Sequence, residues 1–542
     1  MFILYGSPIS SSYSAHKTSY PLNPFVISPS PNQNKRHMPT SAANQMGMEI
    51  AQVQNSLSHL FFTFSISFLF FSLIVLFLRS RPWCNCHICK TYLSFSWRSE
   101  FSNFSDWYTH LLKKSATGTV HIHVLGTTIT ANPANVQHML KTRFENYPKG
   151  KQFSSILGDF LGHGIFNSDG DMWRFQRKMA SLELGSVSVR SYAFKIVSTE
   201  INDRLIPFLR SISGRSNSGT VDIQDLFRRF ALDTICKISF GLDPGCLDLD
   251  LPMSDFANAF DTASRLSALR ATTTAPIVWK LKRFLNVGSE KELKHAIKII
   301  DGLAQAVIRE RRKIGLSTGH DLLSRFMGAV QEQVDDKFLR DIVVSFLLAG
   351  RDTVASGLTT FFLLLSQNPA VAAAIREEIE TNKKDGVLCP GQLNNMHYVH
   401  AALYENLRLY PPVQFDSKFS AKDDVLPDGT FIRKGTRVMY HPYAMGRMES
   451  IWGEDCMEFK PERWLRDGVF TPESLFKYTV FQAGPRVCIG KELSIMEMKT
   501  VIVAIMLRFN IDVLMSKEKP QFALGLTASI KGGVQARILH QS

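Results

Sequence analysis

Phe481-Gln-Ala-Gly484-Pro-Arg486-Val-Cys488-Ile-Gly490 decides how this chain is read. A single cysteine sits in a short turn flanked by glycines. A thiolate is a strong electron donor to haem iron and favours cleavage of a bound O–O bond. Glycine at 484 and 490 lets the backbone approach a metal and aim N–H groups at the sulfur. Arg486 lies just before the cysteine and carries a fixed positive charge that can hold a haem propionate.

Three patterns upstream fit the same chemistry. Trp173 and Arg177 lie in a helical stretch at i, i+4 spacing, so both donors share one face. Residues 341–366, DIVVSFLLAGRDTVASGLTTFFLLLS, read as one long apolar helix closed by Asn368-Pro369. In its middle Asp352 and Thr353 stand beside Gly350, and burying such groups without a task is costly. Gly350 would leave room for O2 above the iron, Thr353 would hydrogen-bond the oxygen, and Asp352 would resupply protons. The plainer alternative is a solvated kink in which Thr353 bonds back to a helix carbonyl. Glu405 and Arg408 have i, i+3 spacing, and Pro461-Glu-Arg463-Trp464 adds a second arginine.

In order and spacing, these motifs across residues 173–490 resemble the cytochrome P450 monooxygenases. The resemblance implies a mainly α fold with small β-sheets. It implies haem b with Cys488 as the iron ligand, shaped by Gly484 and Gly490, and with Trp173, Arg177 and Arg486 on the propionates. Asp352 and Thr353 become the catalytic pair. Glu405, Arg408 and Arg463 become a buried network behind the haem loop. No flavin or nicotinamide fingerprint is present, so electrons would come from NADPH through a separate, membrane-bound cytochrome P450 reductase. Arg174, Lys178 and Lys491 would form basic contacts for its acidic face.

The bulk numbers agree. The 542 residues are 45% hydrophobic, enough for a large core. Eight scattered cysteines show no secreted disulfide framework, which fits a reducing compartment. The net charge of +14 points to a membrane and an acidic partner. No basic run interleaves with aromatics, so nucleic acid is not expected.

Residues 57–78, LSHLFFTFSISFLFFSLIVLFL, contain no Asp, Glu, Lys or Arg and are long enough to span a bilayer. Arg79, Arg81, Lys90 and Arg98 follow, while residues 37–56 contain no Lys or Arg. The reading is one uncleaved N-terminal transmembrane helix, single-pass in the endoplasmic reticulum membrane, with the catalytic part cytosolic. A cleaved signal peptide is the alternative. Residues 1–48 contain no Asp or Glu and read as a disordered tail or an extension from an upstream start. Residues 79–109 are expected as a linker and 110–542 as the monooxygenase domain. Within the linker, Cys84-Asn-Cys86-His-Ile-Cys89 lacks the second half that a zinc site needs, so these read as unmodified thiols, with palmitoylation as an alternative. Val120 to Val124 and Thr127 to Thr130 read as short strands, and Gly214 to Gly219 as a loop.

Cys84 to Tyr92, His121 to Asn132, Gly164 to Asn167, Val413 to Asp416 and His441 to Arg447 are similar to the plant branch that ω-hydroxylates fatty acids and jasmonoyl-amino acid conjugates. Expected pocket regions are rich in Phe and Leu: Phe153 to Phe166, Phe346 to Leu348, Phe415, and Leu524 to Leu526. Such a lining suits an acyl chain. Lys149, Lys151 and Lys418 are the candidate cations for a substrate carboxylate. The leading reading is hydroxylation of jasmonoyl-isoleucine at its pentenyl terminus, with long-chain fatty acid ω-hydroxylation next. A hydroperoxide lyase and a non-catalytic haem- or lipid-binding membrane protein are the rivals from other classes.

Overall fold

The computed structural model describes residues 56–72, 75, 84, 86–213, 219–247, 255–314, 321–329, 335–383, 390–515 and 519–541. The expected extension over residues 1–48 lies outside them, as do residues 214–218 of the expected loop. The chain divides into two compact units, Met1–Pro82 and Trp83–Ser542. In the first, the described residues form an apolar helix, Ser56–Ser72, whose Phe61, Phe64 and Phe68 side chains are exposed.

The second unit is mainly helical. Helices that position the site are α1 (His87–Ser94), α2 (Phe104–Lys114), α3 (Gly150–Leu161), α4 (Gly170–Gly185) and α5 (Ile223–Phe240). They continue with α6 (Asp336–Leu347), α7 (Thr353–Gln367), α8 (His397–Leu409) and α9 (Lys491–Met506). Their ends follow local chemistry. Asp222 caps α5 by accepting from the Gln224 and Asp225 amides, and Gly241 closes it in the left-handed region. Asn368 and Pro369 end α7 as expected.

A four-stranded sheet joins distant parts of the chain. Its strands are β1 (Thr119–Ile122), β2 (Thr127–Thr130), β3 (Asp416–Phe419) and β4 (Arg437–Tyr440), in the order β1-β2-β4-β3. Only β2 and β4 run parallel. The first strand stops at Ile122 rather than Val124, because His123–Leu125 turn into a 3-10 helix closed by Gly126 at φ 56°. A second sheet pairs Phe509–Val513 with Gln535–His540, and the latter with Thr220–Asp222.

The linker expectation needs correction. From Cys86 onward, residues 79–109 are part of the packed unit. Tyr92, Trp97, Trp107 and Tyr108 are buried in one cluster with Ile122, Ile129, Val438 and Tyr440 of the sheet. Aromatic residues scattered over this stretch carried no clean periodicity, yet Trp107 packs against Tyr92, Trp97 and Tyr108 within that cluster.

The expected single helix over 341–366 also differs in detail. It starts at Asp336, ends at Gln367, and is interrupted by a π-turn at Leu348–Asp352. It is the only helix among the described residues long and apolar enough to cross a bilayer, but it is the core of the unit, with 72% of its most apolar window buried. Neighbours hold α7 tightly. Phe362 stacks on Phe227 of α5 at 5.5 Å between centroids. The Asn406 amide of α8 donates to the Gly357 carbonyl at 2.9 Å. A Cβ on Gly357 would lie 2.8 Å from the Met498 sulfur of α9, so only glycine permits this crossing without displacing Met498.

Buried Glu497 of α9 accepts from the Thr234 hydroxyl at 2.7 Å, and burial pushes its carboxyl up to about 7. The raised native pKa means that the folded state holds this proton more tightly than the unfolded chain does. Its stabilising effect is complete below the ordinary glutamate range and is lost as pH rises to about 7. Glu497→Gln is therefore expected to flatten the fall in thermal stability between about pH 5 and 8; an unchanged slope in a melting series across that range would count against it.

Candidate active site

The π-turn between α6 and α7 widens the helix where the oxygen motif was expected. Most of α6 and α7 is buried, but Ala349 is exposed and Thr353, one turn later, is half-buried. These two mark an opening on one face of an otherwise covered helix. The Thr353 hydroxyl donates to the Ala349 carbonyl at 2.6 Å, which is the back-bonded form that the sequence left open. Its oxygen lone pairs stay available to accept. Asp352 is bound on both oxygens, by Arg351 at 2.9 Å and by the Thr527 hydroxyl at 3.0 Å. Burial raises its carboxyl and Arg351 opposes that rise. The role expected of Gly350 changes. A Cβ there would lie 2.3 Å from Ile235 of α5, so the glycine is required by helix packing rather than by space for a ligand.

The Cys488 turn is fixed by backbone contacts. Cys488 N–H donates to the Phe481 carbonyl at 2.8 Å, and Val487 N–H to the Gly484 carbonyl at 3.0 Å. Gly484 has φ 64°, and a Cβ there would lie 2.0 Å from the Leu140 carbonyl oxygen. Two independent constraints thus demand glycine at 484. Gly490 differs, since a Cβ there meets nothing within 4 Å of the described protein. The Cys488 side chain is exposed. Burial of its surroundings pushes the thiol up, while the Gly490 N–H, Arg177 and Lys491 draw it down toward the thiolate.

Several donors around the turn have no partner among the described residues. Trp173 is buried on α4 with the Arg486 guanidinium 4.4 Å from its ring centroid. Arg486 donates to Asp169 at 2.6 Å and to the Ser168 carbonyl at 3.0 Å, yet its Nε is buried with no acceptor. Arg177, half-buried, and the Trp173 indole N–H meet no acceptor among the described residues. Burial pulls the Arg177 guanidinium down, with Arg486 adding to the effect.

A second group of cations lies close by. Buried Lys149 and Lys418 bind opposite oxygens of Asp416, at 2.7 and 2.8 Å. Burial alone would raise Asp416, but the two ammoniums hold it well below the usual carboxylate range. Burial draws the Lys418 ammonium down, opposed by Asp416, with Lys149 and Arg486 adding to the drop. Gln482, in the cysteine loop, donates to Asp416 at 3.0 Å. Cations thus outnumber carboxylates in a buried region with unfilled donors. Two added carboxylates on a flat cofactor would balance the charge and fill the donors, so these residues fit haem. Two of the three lysines considered for a substrate carboxylate are corrected by this finding, because Lys149 and Lys418 are engaged inside the protein. Lys151 is exposed and unpaired among the described residues.

Sequence reading missed Asp169. It caps α3 through the Lys149 and Gly150 amides at 3.0 and 2.8 Å and receives Arg486. The run Ser168-Asp169-Gly170 ahead of α4 carried an N-cap signal, but nothing marked the tie to Arg486. On the expected reductase-facing side, Arg174 already pairs with Asp171 and Glu145 at 2.9 and 3.0 Å.

Glu405, Arg408 and Arg463 come together as expected. Arg408 grips Glu405 with two donors at 2.7 Å each and reaches the Gly446, Cys456 and Glu458 carbonyls. Arg463 donates to Glu405 at 3.3 Å, and the Trp464 indole does so at 2.9 Å. From α8 the support passes to the loop, since Tyr404 stacks on Tyr478 at 5.2 Å and lies 6.0 Å from the Phe481 ring. Removing one partner of such a buried pair costs about 3–5 kcal/mol. Arg408→Leu should therefore lower thermal stability sharply and cut the yield of haem-loaded protein; an unaltered melting temperature would contradict this role.

The chain belongs to the cytochrome P450 family, whose profile matches residues 96–533. It is a haem-thiolate monooxygenase that uses O2, a lipophilic substrate and electrons from a reductase partner. The chain is 58% identical over 497 residues to cytochrome P450 94C1 of Arabidopsis thaliana, covering 89% of this chain and all of that one. It is 47% identical to cytochrome P450 94B1 of the same plant over 80% of this chain and 86% of that one. Identity to cytochrome P450 94A1 of Vicia sativa is 43%, over 83% and 88%. All three relatives are plant cytochromes P450.

Proposed function

We propose that this enzyme hydroxylates the ω end of fatty-acid-derived carboxylates, with jasmonoyl-isoleucine as its leading substrate. The observation that carries the reading is the opening at Ala349 and Thr353 with apolar side chains grouped beside it. Phe153, Ile156, Phe346 and Leu526 pack on one cluster with Leu348, and each keeps accessible surface. Such a lining offers an alkyl chain contact without hydrogen-bond partners, which suits attack at a chain terminus held by position alone. The family resemblance to jasmonoyl conjugate hydroxylases supports the leading substrate, and long-chain fatty acids are the second reading.

In this account Cys488 supplies the thiolate ligand. Trp173, Arg177 and Arg486 hold the propionates. Thiolate-ligated haem, when bound, supplies reductive O2 activation and C–H attack. Thr353 accepts and passes a proton at its hydroxyl, and Asp352 replenishes it after a proton from solvent replaces Arg351 or Thr527 on its carboxylate. Glu405, Arg408 and Arg463 keep the cysteine loop in place. NADPH-cytochrome P450 reductase donates the electrons. Residues 57–78 anchor the chain in the endoplasmic reticulum membrane with the catalytic unit in the cytosol, and residues 1–48 are a disordered tail or an extension from an upstream start.

Two measurements follow. Thr353→Ala should lower product formed per NADPH consumed and release peroxide, because a positioned proton-transfer group contributes about 10²–10⁴-fold to its step; unchanged coupling would remove the relay. Membranes containing the enzyme and a reductase, offered jasmonoyl-isoleucine together with C12 to C18 fatty acids, should hydroxylate the conjugate at its terminus in preference. Preference for free fatty acids would replace the leading substrate by the second.

A further inference from the structure

The fold gives Cys84, Cys86 and Cys89 the partner that their own stretch of sequence lacks. His123, at the start of the 3-10 turn after β1, brings a ring nitrogen to the three sulfurs, and the four ligand atoms lie within 4.8 Å of one another. We propose that these residues bind one Zn2+ as a closed Cys3His structural site, separate from the haem.

The ligand chemistry and spacing fit. Tetrahedral Zn–S bonds near 2.3 Å and a Zn–N bond near 2.0 Å put neighbouring ligand atoms roughly 3.5–3.8 Å apart, so a contraction of about 1 Å at most is required. None of the three cysteines is in a disulfide. Cys89 is fully buried in the same cluster as Val124, the residue after His123, so two walls of the site are set by packing. Cys86 sits at the N-cap of α1, where amides open toward its side chain. His123 has no hydrogen-bond partner among the described residues. Its neighbour His121 is engaged, with Nδ1 2.9 Å from the Thr128 hydroxyl and its ring edge-on to His123 at 4.7 Å. The four ligands leave no open position, which is the mark of a structural rather than a catalytic zinc. Burial of Cys89 also removes it from palmitoylation.

Binding releases the three thiol protons and moves no electrons. The metal would tie residues 84–89, at the start of the catalytic unit, to the β1–β2 corner by bonds stronger than the packing that now joins them.

The test uses purified full-length, haem-loaded protein, with zinc and iron measured by elemental mass spectrometry and the zinc shell by X-ray absorption. Wild type and His121→Ala should carry roughly one zinc per haem, with three sulfurs near 2.3 Å and one nitrogen. His123→Ala should lose most of the zinc, and His123→Cys should regain it with four sulfurs. Haem per chain reports folding in every variant. If His123→Ala also loses haem, the wild-type zinc shell and the His123→Cys rescue decide the outcome. Wild type without zinc after expression in zinc-supplemented medium would overturn the proposal. So would non-haem iron in its place, a disulfide among the three cysteines, or zinc content indifferent to His123.

Discussion

Holding one thiolate in a fixed turn at the start of α9 organises the centre of this molecule. The sulfur of Cys488 lies where burial opposes its charge and the Gly490 amide, Arg177 and Lys491 favour it. Three sets of contacts set the turn. Gly484 approaches Leu140 so closely that no side chain fits. Gln482 ties the loop to Asp416 and, through Tyr440, to β4. Phe481 rests against Tyr404 of α8, whose neighbours Glu405 and Arg408 form a fully paired buried network. Buried ion pairs are weak as stabilisers but strict about geometry, because losing one partner strands a charge. Here that strictness is applied to the strut behind the loop.

The surplus of buried cations follows from the same requirement. Arg177, Arg486, Lys149 and Lys418 face too few carboxylates, and the Arg486 Nε has no acceptor. A protein completed by its own side chains would not tolerate this imbalance. A cofactor bearing two carboxylates resolves it, so charge balance and thiolate ligation point to one bound group.

The elements that were legible in the sequence are those with local signatures. The turn around Cys488, the Trp173–Arg177 helix face and the Glu405–Arg408 spacing each occupy a few consecutive residues, and the structure brings each together. What was not legible depends on contacts between distant segments. Asp169 meets Arg486, Asp416 meets Lys149, and Gly350 meets Ile235, all across large separations in sequence. The Gly350 case shows the risk of local reading: glycine in a functional motif was assigned to ligand space, whereas a neighbouring helix accounts for it. The π-turn at Leu348–Asp352 had no periodicity signal, because the residues after it are apolar or small and buried on every face, so a change of phase leaves no mark in the pattern. His123 is the clearest example, since a cysteine cluster judged incomplete by spacing gains its fourth ligand only when β1 ends one residue before it.

The central claim is that Cys488 ligates the haem iron. Its most direct test is the reduced carbon monoxide difference spectrum of the purified full-length protein and of Cys488→His, with Cys456→Ala as a control for loss of a different cysteine. The account predicts the thiolate-type band in wild type and in the control, and an imidazole-type band in Cys488→His. A thiolate-type band that persists in Cys488→His would contradict it.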